Sequence, residues 1–293
     1  MRHGDLRCWR GSETPERVAE DVAEFVQDGV GLCVCAERGD VACRWPSSEE
    51  LHVVAELDGA RNLSARGGCS VGMHGGASCH RVLCGERNAR IHCIEQSFHG
   101  DLQFPDTVVL PPAPPGEHSA QGELEGPTVC FGGSIDQPST CRRLYRVHGA
   151  ARMVYGRAVG CGIREGGSLA CMGTNQHGQL AGRPDAGFHE VTEINLGGAI
   201  DVAIGEAHIC ALTDEGHAYC WGGASEGQMG APPGRFERLD TVHIAPIVRV
   251  PGIDDAVQLH AGGNLSCVIT ARGAVQCWGG GEATPRTVFT AER

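Results

Sequence analysis

Five times in this 293-residue chain two cysteines stand ten positions apart, with a glycine four residues before the second. The segments are "CVCAERGDVAC" (Cys33 and Cys43, Gly39), "CSVGMHGGASC" (Cys69 and Cys79, Gly75), "CGIREGGSLAC" (Cys161 and Cys171, Gly167), "CALTDEGHAYC" (Cys210 and Cys220, Gly216) and "CVITARGAVQC" (Cys267 and Cys277, Gly273). Cys130 and Cys141, in "CFGGSIDQPSTC", form a relative one residue longer without the turn glycine. Each half is short and rich in strand-forming residues, with Gly and Asp or Glu between the halves, which is the signature of a β-hairpin. Directly opposed residues of a non-hydrogen-bonded antiparallel pair lie about 4.5 Å apart at Cα. That is near the lower edge of disulfide geometry, so the spacing predicts hairpins cross-linked across their strands.

The flanks recur as well. Gly156, Gly205 and Gly262 each stand five residues before a first cysteine, and "GTNQHGQL" and "GGASEGQMG" follow two of the second cysteines. Apolar stretches such as "AIDVAIG" and "DAVQLHAG" lie between units and read as further strands. Second-position cysteines fall at Cys8, Cys43, Cys79, Cys141, Cys171, Cys220 and Cys277, which makes seven units. Units of a few strands cannot bury a face alone, and radial stacking around an axis solves this while protecting the sheet edges. With 44 glycines and only 5% aromatics, the core must be built from Val, Ile, Leu, Ala and Cys between many tight turns.

At these residues the chain resembles the regulator of chromosome condensation repeat family, whose repeat runs roughly G-x-x-H-x-C-A-L-x-x-x-G-x-x-Y-x-W-G-x-N-x-x-G-Q-L-G. "GEAHICALTDEGHAYCWGGASEGQMG" (Gly205–Gly230) matches it closely, with the cysteine one residue before the tryptophan, and "MGTNQHGQL" supplies the Asn and Gly-Gln-Leu. The likeness extends over about Ala151–Gly281, is looser over the first 80 residues and is poor over 82–140. It implies an all-β fold: a seven-bladed β-propeller of four-stranded antiparallel blades, as one domain over 1–293. The N-terminal blade is expected to be incomplete, because "GDLRCW" begins inside a unit. The Pro-rich segment over about 104–127 reads as an inserted loop. "ETPERVAEDVAE" (Glu13–Glu24) is acidic and reads as a short helix or, preferably, a solvated loop.

The repeat positions also bear on chemistry. In the cysteine pairs, oxidation competes with buried free thiols used as small core residues, and the single spacing favours disulfides. Cys84 and Cys93 form a degenerate candidate pair, leaving Cys8 and Cys35. The Cys/His-dense region between Cys69 and Cys93 spaces its ligands poorly for zinc, which prefers Cys-x2–4-Cys knuckles, so no metal and no cofactor is expected. Gly205, His208, Trp221, Gly262 and Trp278 occupy family repeat positions and are expected to be structural, His208 by supporting a turn and the tryptophans by packing between blades. No Gly-x-Ser-x-Gly elbow, His-Glu-x-x-His or phosphate-binding glycine loop occurs, so no catalytic residue is assigned.

A formal net charge of −12 disfavours direct nucleic-acid binding, and no apolar run is long enough to span a membrane. The expected function is therefore a non-catalytic scaffold for an unknown protein partner, acting as a monomer. The alternatives are a guanine-nucleotide exchange factor-like regulator of a small GTPase, as in some eukaryotic relatives, or a propeller enzyme or carbohydrate binder. Cysteine pairing points to an extracytoplasmic location, although the sequence as given shows no signal peptide; the cytoplasm is the alternative.

Overall fold

The computed structural model describes residues 4–8, 16–27, 32–36, 38–44, 51–71, 77–87, 90–99, 106–109, 125–131, 140–156 and 158–290. They form two compact units, Met1–Pro127 and Thr128–Arg293.

The first unit holds two antiparallel sheets. One comprises β1 (Gly4–Cys8), β2 (Glu16–Gln27), β3 (Leu32–Ala36), β4 (Val41–Arg44) and β5 (His52–Val53), paired in sequence order. The other comprises β6 (Arg61–Val71), β7 (Ala77–Arg87), β8 (Arg90–His99) and β9 (Asp106–Val109), again in sequence order. Strand β2 overturns the expectation of a helix or solvated loop over Glu13–Glu24 from Glu16 onward, residues 13–15 lying outside the described ones. Its apolar residues Val18, Val22, Phe25 and Val26 have helix-like spacing, because the register slips between Val22 and Glu24. A β-bulge there adds one residue and disguises the period of two. Strand β9 likewise shortens the inserted loop expected over about 104–127.

The second unit repeats one plan. A two-stranded sheet, β10 (Glu125–Phe131) and β11 (Thr140–Tyr145), lies at its start. Blade A follows as β12 (Ala150–Tyr155), β13 (Val159–Arg164), β14 (Leu169–Asn175) and β15 (Asp185–Ile194). Blade B is β16 (Ala199–Ile204), β17 (His208–Thr213), β18 (Ala218–Gly223) and β20 (Val242–Arg249), with the short β19 (Glu237–Leu239) added outside β20. Blade C is β21 (Ala256–Gly262), β22 (Leu265–Thr270), β23 (Ala274–Gly279) and β24 (Glu282–Thr290).

This is the meander of a β-propeller blade. Among the described residues β6–β9 and blades A and C are four-stranded antiparallel blades, and blade B is one with β19 added at its edge, so four such blades stand where seven were expected. Cysteine counting overran because Cys8 and Cys43, counted as two units, stand on β1 and β4 of one sheet, and Cys141 stands on a sheet with only two described strands. Cys69 opposes Cys79 across β6 and β7, the first hairpin of its sheet, whereas Cys84 and Cys93 oppose each other across β7 and β8. The second hairpin is the place that Cys161 and Cys171 take in blade A.

Burial explains why the middle strands read as continuous apolar runs. Every residue of β17 is buried. Ile209 and Ala211 join Val159, Ile163, Leu169, Val202 and Trp221 in one cluster between blades A and B. The alternate residues Cys210 and Leu212 join Met229, Val250, Leu259, Val268 and Trp278 in another between B and C. A strand sandwiched on both faces has no polar side to show.

Candidate protein-binding faces

Three of the repeated turn glycines join one sheet to the next. Gly39, Gly167 and Gly216 have φ of 107°, 78° and 79°, a region that costs any other L-residue strain. Their carbonyls accept hydrogen bonds from Gly59, Ala199 and Ala256, at 2.9, 3.0 and 3.1 Å, where the following sheet begins. A Cβ on Gly167 would stand 2.8 Å from the Ala199 amide nitrogen, so the site excludes even alanine on space alone.

At the opposite end of the blades the tryptophans do the joining. Trp221 and Trp278 are fully buried. The Trp221 indole N–H donates to the Gln179 carbonyl at 2.7 Å, and Trp278 donates to that of Gln228 at 2.9 Å. Each acceptor belongs to the Gly-Gln-Leu/Met loop of the preceding blade. The glutamine side chains brace these loops, Gln179 Oε1 accepting from the His177 amide and Gln228 Oε1 from the Glu226 amide. The indoles thus bury a large apolar body and satisfy their one donor across a blade boundary.

His208 links the same blades. It is fully buried, and its Nε2 shares a 2.7 Å hydrogen bond with Ser266 Oγ on β22. Its ring lies against Gly205, where a Cβ would come within 2.2 Å of Cε1. Nδ1 is buried without a hydrogen-bond partner. Burial lowers the His208 pKa from 6.5 to about 4, because the charged imidazolium would lose its hydration. Gly262, expected to be structural like Gly205, ends β21 opposite Leu265.

Four cysteine pairs place their Sγ atoms at bonding distance: Cys33 with Cys43, Cys161 with Cys171, Cys210 with Cys220, and Cys267 with Cys277. Their Cα separations are 4.0 Å for the first and 4.1 Å for the others. The side chains of Cys69, Cys79, Cys84, Cys93, Cys130 and Cys141 lie outside the described residues, as does the environment of Cys8. The buried Cys35 Sγ accepts a hydrogen bond from Arg61 Nη1 at 2.8 Å. Among the described residues no group of three or more His, Cys, Asp or Glu is arranged to hold a metal ion, and no helix is long and apolar enough to cross a membrane.

The sequence marks β16 and β21 as strands but not the bulges that the leading strands share. In each of β2, β12, β16 and β21 the register skips one residue, leaving Ala23, Ala151, Ile200 and Val257 out of the ladder. All four are exposed. The next position is polar in every case: Glu24, Arg152, Asp201 and Gln258. A signal was present in the four-residue pattern "VAEF", "AARM", "AIDV" and "AVQL". Arg152 and Asp201 meet across blades A and B at 2.5 Å, and Asp201 Oδ2 accepts from the Leu259 amide of blade C. His260 lies in the same field: burial lowers its pKa, Asp201 raises it and Arg152 lowers it. One carboxylate thus ties three leading strands together.

Residues 199–228 match the family model of the regulator of chromosome condensation (RCC1) repeat, the segment that begins blade B and carries His208 and Trp221. Among solved structures, Prp20p from Saccharomyces cerevisiae superposes with a TM-score of 0.58 at 13% identity, over 92% of this chain and 77% of Prp20p. Yeast RCC1 (Prp20) in complex with Kap60 gives 0.59 at 13% identity, over 92% and 75%. Human WBSCR16 gives 0.50 at 14% identity, over 94% and 68%.

Proposed function

We propose that this RCC1-repeat propeller is a non-catalytic scaffold that binds another protein through loops and turns at the ends of its blades, outside the cytoplasm. The observation that carries this reading is how the recurring reactive side chains are used. His208, Trp221 and Trp278 are committed to bonds between blades, and the paired cysteines to bonds within hairpins. Variation is left to the exposed turns and leading-strand bulges, as expected where a rigid frame presents recognition loops. Support comes from the structural neighbours: Prp20p has binding properties toward Gsp1p and histones, and yeast RCC1 is bound by Kap60. The hairpin cross-links support an oxidising compartment.

Two measurements on the full chain in its native host test this. Thiol blocking before lysis, followed by mass-spectrometric disulfide mapping, is expected to recover Cys161–Cys171, Cys210–Cys220 and Cys267–Cys277 links. Photo-crosslinkers placed at exposed turn positions are expected to trap a protein adduct of discrete mass. Fully blocked thiols would overturn the compartment assignment. Turnover of a small substrate, with no protein adduct, would overturn the scaffold.

A further inference from the structure

The hairpin-turn end of blades A, B and C combines exposed apolar side chains with uncompensated acid. Ile200 and Val257 are 50% and 51% exposed, although each sits on the leading strand of a blade. They are exposed because the bulge takes them out of the ladder at equivalent positions of adjacent strands. The residue before each is hydrogen-bonded into the turns: Ala199 to the Gly167 carbonyl and Ala256 to that of Gly216. The Asp214 amide donates in turn to Gly198, and that of Ala271 to Asp255. Ile200 is therefore flanked by the turns carrying Glu165 and Asp214, and Val257 by those carrying Glu215 and Arg272, the latter 3.7 Å from Asp255.

Charge at this end is unbalanced. Arg164 binds Glu193 through both guanidinium nitrogens, Arg249 pairs with Asp254, and Arg272 lies 3.7 Å from Asp255. Among the described residues no arginine pairs with Glu165, Asp214 or Glu215. All three are exposed, and Glu215 Oε2 lies 3.2 Å from His217 Nδ1.

We infer that this surface docks an extended, basic segment of a partner protein. Apolar side chains of the segment cover Ile200 and Val257, and its arginines or lysines reach Asp214, Glu215 and Glu165. The apolar row supplies the contact area and the acidic turns supply register and steering. A neutral or acidic partner would cover the apolar pair and leave the carboxylates facing apolar surface or like charge. The inference rests on the scaffold reading and names the chemistry of the partner.

The test is fluorescence anisotropy of the full chain with a short labelled peptide alternating leucine and arginine. Two control peptides replace leucine with serine, or arginine with glutamate. Binding of the leucine–arginine peptide is expected, weakening with added salt. The Ile200→Thr/Val257→Thr double variant keeps β-branched residues in place and is expected to lose about tenfold in affinity, from the apolar area removed. Asp214→Asn/Glu215→Gln is expected to weaken binding and flatten its salt dependence. Equal binding by wild type and the threonine variant overturns the proposal, as does equal binding of the glutamate peptide. Failure of every peptide, with photo-crosslinked adducts still formed at other turns, removes this surface and leaves the scaffold standing.

Discussion

Protonation of His208 should loosen the joint between blades B and C. The folded chain holds this imidazole neutral down to about pH 4, whereas in the unfolded chain it takes a proton near 6.5. Between these values the unfolded state binds one proton more, so stability falls as pH falls, at about 1.4 kcal/mol per pH unit. The contribution is fully present above 6.5 and lost by about 4, a total of about 3 kcal/mol. The perturbation is His208→Gln, which removes the titrating group and keeps an amide able to meet Ser266. Its cost at neutral pH is expected to be about 1–2 kcal/mol, from imperfect packing against Gly205 and a weaker hydrogen bond. Urea unfolding followed by tryptophan fluorescence is a direct assay, because Trp221 and Trp278 are buried at the two boundaries of the same blade. Background titrations, including those of Asp185 and Glu193, whose pKa values are lowered by hydrogen bonds from His189 and Arg164, are common to both proteins and cancel in the difference. The wild-type advantage should shrink by about 3 kcal/mol on acidification and change sign before pH 4. A difference that stays constant with pH refutes the reasoning.

Other expected outcomes follow from the joints between sheets. Gly216→Ala should cost about 1–3 kcal/mol by urea unfolding, from the positive φ and the approach to Asp254, whereas alanine at Gly252, also at positive φ but with open space around it, should show the strain alone. Trp278→Phe should cost about 1–3 kcal/mol, because it strands the Gln228 carbonyl and leaves a small cavity. Replacing Cys210 and Cys220 together by alanine should cost about 2–3 kcal/mol for a loop of this length, with an unchanged circular dichroism spectrum at neutral pH. Glu193→Gln should change stability by less than about 1 kcal/mol despite its two hydrogen bonds with Arg164, because the pair is solvated.

How much of this was legible in the sequence depends on period. The second hairpins were plain, since Cys-x9-Cys with its turn glycine records both an opposed pair and a contact with the following sheet. "AIDVAIG" and "DAVQLHAG" were recognised as strands because their ends match the repeat. Strand β2 was not, since the extra residue at Ala23 converts alternation into helix-like spacing. The same bulge hid the row of Ile200 and Val257, which a strict period of two assigns to neither face. The blade count failed where two counted cysteines share a sheet: Cys8 and Cys43 stand on β1 and β4, and sequence spacing carries no label for which strands pair side by side. The Arg152–Asp201 pair was invisible because its partners are 49 residues apart and equivalent blade positions hold Glu24 and Gln258.

The covalent links have a consequence for how such a chain can change over generations. Each of the four described cysteine bridges closes a span of ten residues inside one hairpin, and none fastens one blade to another. The joints between blades use backbone carbonyls, indoles and a histidine; the turn glycine recurs in blades A, B and C, whereas Met172 stands in the tryptophan position of blade A and Val159 and Leu265 in the histidine position of blades A and C. Duplication or deletion of blade A, B or C therefore severs none of the described bridges. A duplicated blade adds a fresh bulge and turn to the exposed row. Partner choice can drift one cassette at a time while the chemistry that closes each hairpin remains untouched.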